Sequence, residues 1–207
     1  MTKKDLTASL IIGAGVGLLI QPILANLLGG GDDMNLVIRA GVFIFFTLFA
    51  PFALWLCALI AKAWKAFYQF GQFAAVGTLN SFIDIGVLNL ETFLYGGTIT
   101  TPIFAVFKAI SFLCATTNSF FWNRNWTFGS TDKVNAGEVT GFYTVALIGW
   151  GANVVVATFV KAIGPETKLW IDIVAPLAGI LVTFIWNFLG YKYFVFKKKA
   201  SVPTVAA

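Results

Sequence analysis

Histidine is absent from the 207 residues, which removes the commonest general base and the commonest metal ligand. Cysteine occurs twice, at Cys57 and Cys114, each inside an apolar run. Two such residues read as small hydrophobes and spell neither a disulfide framework nor a CxxC site. Charge is also scarce: 11% of residues are charged against 58% hydrophobic, a balance too apolar for one soluble core of this length. No long stretch alternates at period two, which argues against a transmembrane β-barrel. The run Gly13-Ala14-Gly15-Val16-Gly17 fails as a nucleotide fingerprint, because no strand precedes it and the third glycine is misplaced. No Walker loop, metal-ligand cluster or cofactor motif is found, and the cations behind the net charge of +5 are too scattered for a nucleic-acid surface.

What the chain has instead is six long apolar runs: Ala8 to Leu28, Leu36 to Ala61, Phe70 to Tyr95, Pro102 to Trp122, Gly141 to Ala162 and Ile171 to Tyr191. Each suffices to cross a hydrocarbon core that needs ~20 apolar residues. The expected fold is therefore all-α, a polytopic membrane bundle of six transmembrane helices. With both termini inside, Lys3, Lys4, Lys62, Lys65, Arg124, Lys133, Lys192, Lys197, Lys198 and Lys199 fall on the cytoplasmic face of an inner (plasma) membrane. Only Arg39, Lys161 and Lys168 fall outside, with Asp32 and Asp33 in the Gly-rich turn after the first run. The first run is long for a signal h-region and reads as a retained helix, and its Gly13 and Gly17 let another helix approach closely. Pro22, Pro51 and Pro176 lie in or near the ends of spans, where they are expected to kink them.

A polar, aromatic string closes the fourth run: Asn118-Ser119-Phe120-Phe121-Trp122-Asn123-Arg124-Asn125-Trp126-Thr127-Phe128. A shift of 68 positions lays Trp122–Phe128 over Gly190-Tyr191-Lys192-Tyr193-Phe194-Val195-Phe196, a cation followed by aromatics in both. The chain reads as a duplication: a two-helix hairpin (residues 1–66), a four-helix domain (69–198) made of repeats 69–128 and 138–196, and a tail (199–207). Each repeat has an even number of crossings, so the two are expected to be parallel, related by an axis near the membrane normal.

Polar residues inside the spans mark candidate sites. Asn80, Asp84 and Glu91 are spaced by four and seven, which puts them on one helical face with Asp84 near mid-bilayer. A central Asp costs ~2.5 to 3.5 kcal/mol on insertion scales and requires a partner; Lys108 is the nearest candidate for Asp84 or Glu91. Two readings fit this group, a structural ion pair or a charge-coupling path. Asn118, Asn153 and Asn187 add amides to the last three spans. They serve either as interhelical hydrogen-bonding groups or, with Asn80 and Asp84, as the lining of a hydrated groove able to bind hydroxyls. Arg124 and Lys192 satisfy the positive-inside rule with no ligand, but Asn123 and Asn125 bracket Arg124 and offer convergent donors to a phosphate.

The stretch Phe70-Gly71-Gln72-Phe73-Ala74-Ala75-Val76-Gly77-Thr78-Leu79-Asn80, continuing to Asp84 and Asn89, resembles the opening of the GtrA-like family. Asn118 to Phe128 is similar to that family's most recognisable string, and Trp186-Asn187-Phe188, Tyr191 and Phe194-Val195-Phe196 to its last helix. The resemblance covers about residues 70–198. It implies a four-helix, non-enzymatic translocase of polyprenyl-phosphate-linked monosaccharides in cell-surface polysaccharide synthesis, with no cofactor. Some relatives act instead as membrane anchors or partners of polyprenyl-phosphate glycosyltransferases. On the first reading Arg124, Lys192, Asn123 and Asn125 meet the phosphate, and Asn80, Asp84, Asn118, Asn153 and Asn187 the sugar. Asp84, Glu91 and Lys108 then carry charge coupling, in a bundle open to homodimerisation. The extra hairpin departs from the family pattern.

Overall fold

The computed structural model describes residues 1–27, 35–64 and 66–196. Asp32 and Asp33 of the expected outer turn, Lys65, and the basic tail from Lys197 onward lie outside the described residues. Among those described, the regular structure is seven α-helices and three π-helical turns, with no strand. The fold is all-α, and six stretches are long and apolar enough to cross a membrane: Lys3–Leu24, Leu36–Ile60, Ala66–Tyr95, Thr101–Thr127, Ala136–Ile163 and Ala175–Val195.

Helix α1 (Lys3–Leu19) starts five residues before the apolar run because a reciprocal cap sets its first turn. Thr2 Oγ1 accepts from Asp5 N–H at 3.1 Å while Asp5 Oδ2 accepts from Thr2 N–H at 2.8 Å. The helix breaks ahead of Pro22, whose ring excludes a straight α continuation, and resumes as α2 (Gln21–Leu27). Gln21 Nε2 donates across the break to Gly17 O (2.9 Å) and to Arg39 O (3.1 Å) in the next helix. Helix α3 (Leu36–Ile60), capped by Asn35, carries Pro51 without interruption. The others are α4 (Ala66–Tyr95), α5 (Thr101–Trp122), α6 (Ala136–Ile163) and α7 (Ala175–Gly190). A π turn, Trp170–Val174, precedes Pro176 at the start of α7 and absorbs the irregularity that the proline imposes.

Two compact units divide after Gly129. The first holds α1–α5, the second α6 and α7. Within the first, α1 packs on α3 at the two glycines that the sequence singles out. A Cβ on Gly13 would collide with the Phe46 carbonyl and lie 2.9 Å from Thr47 Cα; one on Gly17 would lie 3.0 Å from Phe43 Cα. The hairpin is not set apart from the first repeat: Ala8, Ile12 and Val16 of α1 and Leu54 of α3 share one core with Val76 and Leu79 of α4 and Trp126 of the string. In lipid such close packing and hydrogen bonding replace the hydrophobic drive that assembles soluble helices.

Gly13→Ala is expected to lower stability in detergent by about 1–3 kcal/mol, because the atoms it would strike are backbone and cannot move aside. Gly41→Ala, on α3 with nothing within 4 Å of its Cβ, is the control. It should leave the thermal unfolding midpoint unchanged or slightly raised, as replacing a helical glycine does.

Candidate functional site

The string at residues 118–128 does not continue α5 as an α-helix. After Trp122 the chain widens into a π turn, Asn123–Thr127, closed by Phe128 N–H donating to Asn123 O at 2.8 Å. The second string does the same 68 positions later: Tyr191–Val195 is a π turn, closed by Phe196 N–H on Tyr191 O at 2.8 Å. The duplication therefore extends to an uncommon backbone feature that recurs at functional sites. The closing phenylalanines are both buried and meet equivalent rings, Phe128 with Phe73 at 6.5 Å and Phe196 with Phe142 at 5.9 Å.

The copies then part. In the first, Asn123, Arg124 and Thr127 are 1%, 6% and 4% exposed. Arg124 is covered by neighbouring protein, its Nη1 at 3.5 Å from Oδ1 of the exposed Asn125. Asn123 Nδ2 donates to Ser119 Oγ at 3.1 Å, while Asn123 Oδ1 and Thr127 Oγ1 are buried without a hydrogen-bond partner among the described residues. Carbonyls around the π turn are met from other helices: Asn125 O accepts from Lys4 Nζ at 2.8 Å and Thr127 O from Gln69 Nε2 at 3.0 Å. Below them Asp5 Oδ1 accepts from Trp126 Nε1 at 3.0 Å and Gln72 Nε2 at 3.1 Å. In the second copy Tyr191 stacks on Phe142 with centroids 4.0 Å apart, and Lys192 Nζ lies 5.4 Å from the Phe188 ring and 5.8 Å from that of Tyr193. No amide flanks Lys192, and its neighbours on both sides are aromatic.

Between α4 and α5 the expected polar face forms. Lys108 Nζ pairs with Asp84 Oδ2; Ser111 Oγ, fully buried, donates to Asp84 Oδ1 at 2.6 Å; Asn118 Nδ2 donates to Asn80 Oδ1 at 2.7 Å. The structure thus brings Asp84, Lys108, Asn80 and Asn118 together, and adds Ser111, which the sequence reading missed. Glu91 Oε2 is buried and has no hydrogen-bond partner among the described residues.

The equivalent crossing in the second unit is built without charge. Asn80 and Asp84 correspond to Gly149 and Asn153 after a shift of 69, and Ser111 to Gly179 after one of 68. A Cβ on Gly179 would lie 2.7 Å from Asn153 O, and one on Gly149 would strike Asn187 Oδ1, itself buried without a partner among the described residues. Thr183 Oγ1 donates to Gly149 O at 2.8 Å and Trp186 Nε1 to Val145 O at 3.0 Å. Helix packing in this repeat is made without an ion pair, unlike that of the first.

The spans, the buried polar contacts and the repeated π turns define a polytopic α-helical membrane protein. The chain belongs to the GtrA/DPMS transmembrane domain family, whose description matches residues 72–196, from α4 to the end of the second string. Members of this family are generally non-catalytic membrane proteins of glycosyl-lipid-related processes. The chain is also similar to the uncharacterized membrane protein YngA of Bacillus subtilis (strain 168), 28% identical over 126 residues, covering 61% of this chain and 78% of that protein. No solved structure matches.

Lys108→Met removes one partner and leaves Asp84 as an uncompensated charge within the span, so it is expected to destabilise the protein more than the double change Asp84→Leu/Lys108→Met. Thermal unfolding of both variants in one detergent measures the order.

Proposed function

We propose that the protein is a translocase, not an enzyme, that carries a polyprenyl-phosphate-linked monosaccharide across the plasma membrane for cell-surface polysaccharide synthesis or glycosylation. One observation carries this reading: the first of two duplicated π turns surrounds a cation with amides, where the second has aromatic rings. Arg124, with Asn123 and Asn125, attracts the carrier phosphate at the cytoplasmic surface, where a guanidinium suits two phosphate oxygens at once. Lys192 supplies a second, weaker attraction. Asn80 and Asn118 offer hydrogen bonds to sugar hydroxyls in the first unit, as Asn153 and Asn187 do in the second, and the polyprenyl tail stays in lipid. Asp84 and Glu91, seven residues apart on α4, and Lys108 of α5, paired with Asp84, carry any ion coupling. The positive-inside bias supports cytoplasmic termini.

A second reading, a membrane partner of a polyprenyl-phosphate glycosyltransferase, draws support from Tyr193 and Phe194, 58% and 77% exposed at the end of the last helix.

Liposomes containing the purified protein and a labelled polyprenyl-phosphate sugar should show headgroup exchange between leaflets that protein-free liposomes lack. Arg124→Ala should slow it at least tenfold. Exchange equal in the presence and absence of protein contradicts translocation, and a co-purifying transferase whose activity is lost on separation would then favour the partner reading.

A further inference from the structure

We propose that Lys4, at the start of α1, is part of the anion site at the first string and contacts the phosphate directly. This deepens the reading above and rests on it. The N-terminal hairpin lies outside the family match, yet its fourth residue reaches the string: Lys4 Nζ is 2.8 Å from the carbonyl oxygen of Asn125, the residue whose side chain also meets Arg124 Nη1. An ammonium and a guanidinium converge on one exposed asparagine. Arg124 is buried and Lys4 is exposed, so an anion approaching from the membrane surface meets Lys4 and the Asn125 amide first.

The adjacent carboxylate does not neutralise Lys4. Both oxygens of Asp5 are engaged elsewhere, Oδ1 by Gln72 and Trp126 and Oδ2 by the Thr2 amide and hydroxyl, each at 2.8 Å. Successive helical residues point about 100° apart, so Asp5 reaches Gln72 and the buried Trp126 indole while Lys4 reaches the Asn125 carbonyl. An ammonium has three donors, and the contact with Asn125 takes one.

Capping a carbonyl does not account for the charge. Thr127 O, two residues along the same π turn, is capped by the neutral amide of Gln69 at 3.0 Å. A neutral donor therefore suffices for that task, and the positive charge at residue 4, which also fits the inside bias of cations, is available to a ligand. The ligand's chemistry is that of a phosphate, borne by a lipid or free in solution.

The test uses the full-length protein in phosphatidylcholine nanodiscs with two probes, farnesyl phosphate and inorganic phosphate. Lys4→Gln keeps an amide able to cap Asn125 O but removes the charge; Lys4→Arg keeps the charge. Loss of one charge-assisted phosphate contact should weaken farnesyl phosphate about tenfold in Lys4→Gln, with an unchanged unfolding midpoint, and about twofold or less in Lys4→Arg. Displacement of the lipid by inorganic phosphate would identify the bare anion as sufficient; failure to displace it would identify the lipid-borne group, and both agree with the proposal. Wild-type binding by Lys4→Gln overturns it, as does a loss of binding that Lys4→Arg shares or that follows a lowered midpoint. Arg124→Gln separates this proposal from the reading beneath it: if that variant loses affinity while Lys4→Gln does not, Lys4 alone is excluded. If both bind as wild type, the phosphate site itself is excluded.

Discussion

The carboxylate of Asp5 is the interaction on which the first unit depends. It lies at the mouth of a transmembrane helix, buried, and accepts hydrogen bonds from the Thr2 amide and hydroxyl, from Gln72 and from Trp126. Those donors belong to three segments: the start of α1, the first turns of α4 and the first string. A buried carboxylate left short of donors costs far more than a satisfied one gains, so the three segments are held in one register. The core is consistent with that register, since Trp126 belongs to the same buried cluster as Ile12, Val16 and Val76. Close approach of α1 to α3 at Gly13 and Gly17 completes the unit.

The likeness of the two strings, and the points where they differ, organises the rest. Both copies keep the π turn and its closing phenylalanine, features of the backbone and the packing. They differ where the chemistry differs. The first retains Arg124 between amides and an Asp84–Lys108 pair with Ser111, whereas the second has Tyr191 on Phe142 and glycine where Ser111 would stand. An ion pair in the membrane is costly, and the second copy crosses its helices without one. The asymmetry is the strongest physical argument that the first copy is the working one.

Much of this was legible in the sequence, for identifiable reasons. Span lengths and hydropathy fix the six helices because lipid leaves the backbone few alternatives. Helical arithmetic put Asn80, Asp84 and Glu91 on one face of α4 and offered Lys108 as a partner for Asp84 or Glu91; the structure pairs it with Asp84. The Gly13 and Gly17 spacing gave the α1 to α3 contact in the same way. Asp5 was not legible, since its partners Gln72 and Trp126 are 67 and 121 residues away and each is unremarkable in its own segment. The only local signal was Thr2 three residues before it, a capping pattern. Burial of Arg124 was hidden for a related reason: a cation after an apolar run reads as interfacial, whereas the π turn that carries it packs against α4 and α5.

The first string thus gathers Arg124, Asn123 and Asn125 beside Lys4 of a helix that lies outside the family match. The most direct test is a density map of the protein with a bound polyprenyl-phosphate lipid. The phosphate is expected within hydrogen-bond distance of the donors around Asn125, on the first string. A phosphate resting at Lys192 on the second string, with the first empty, would contradict the account.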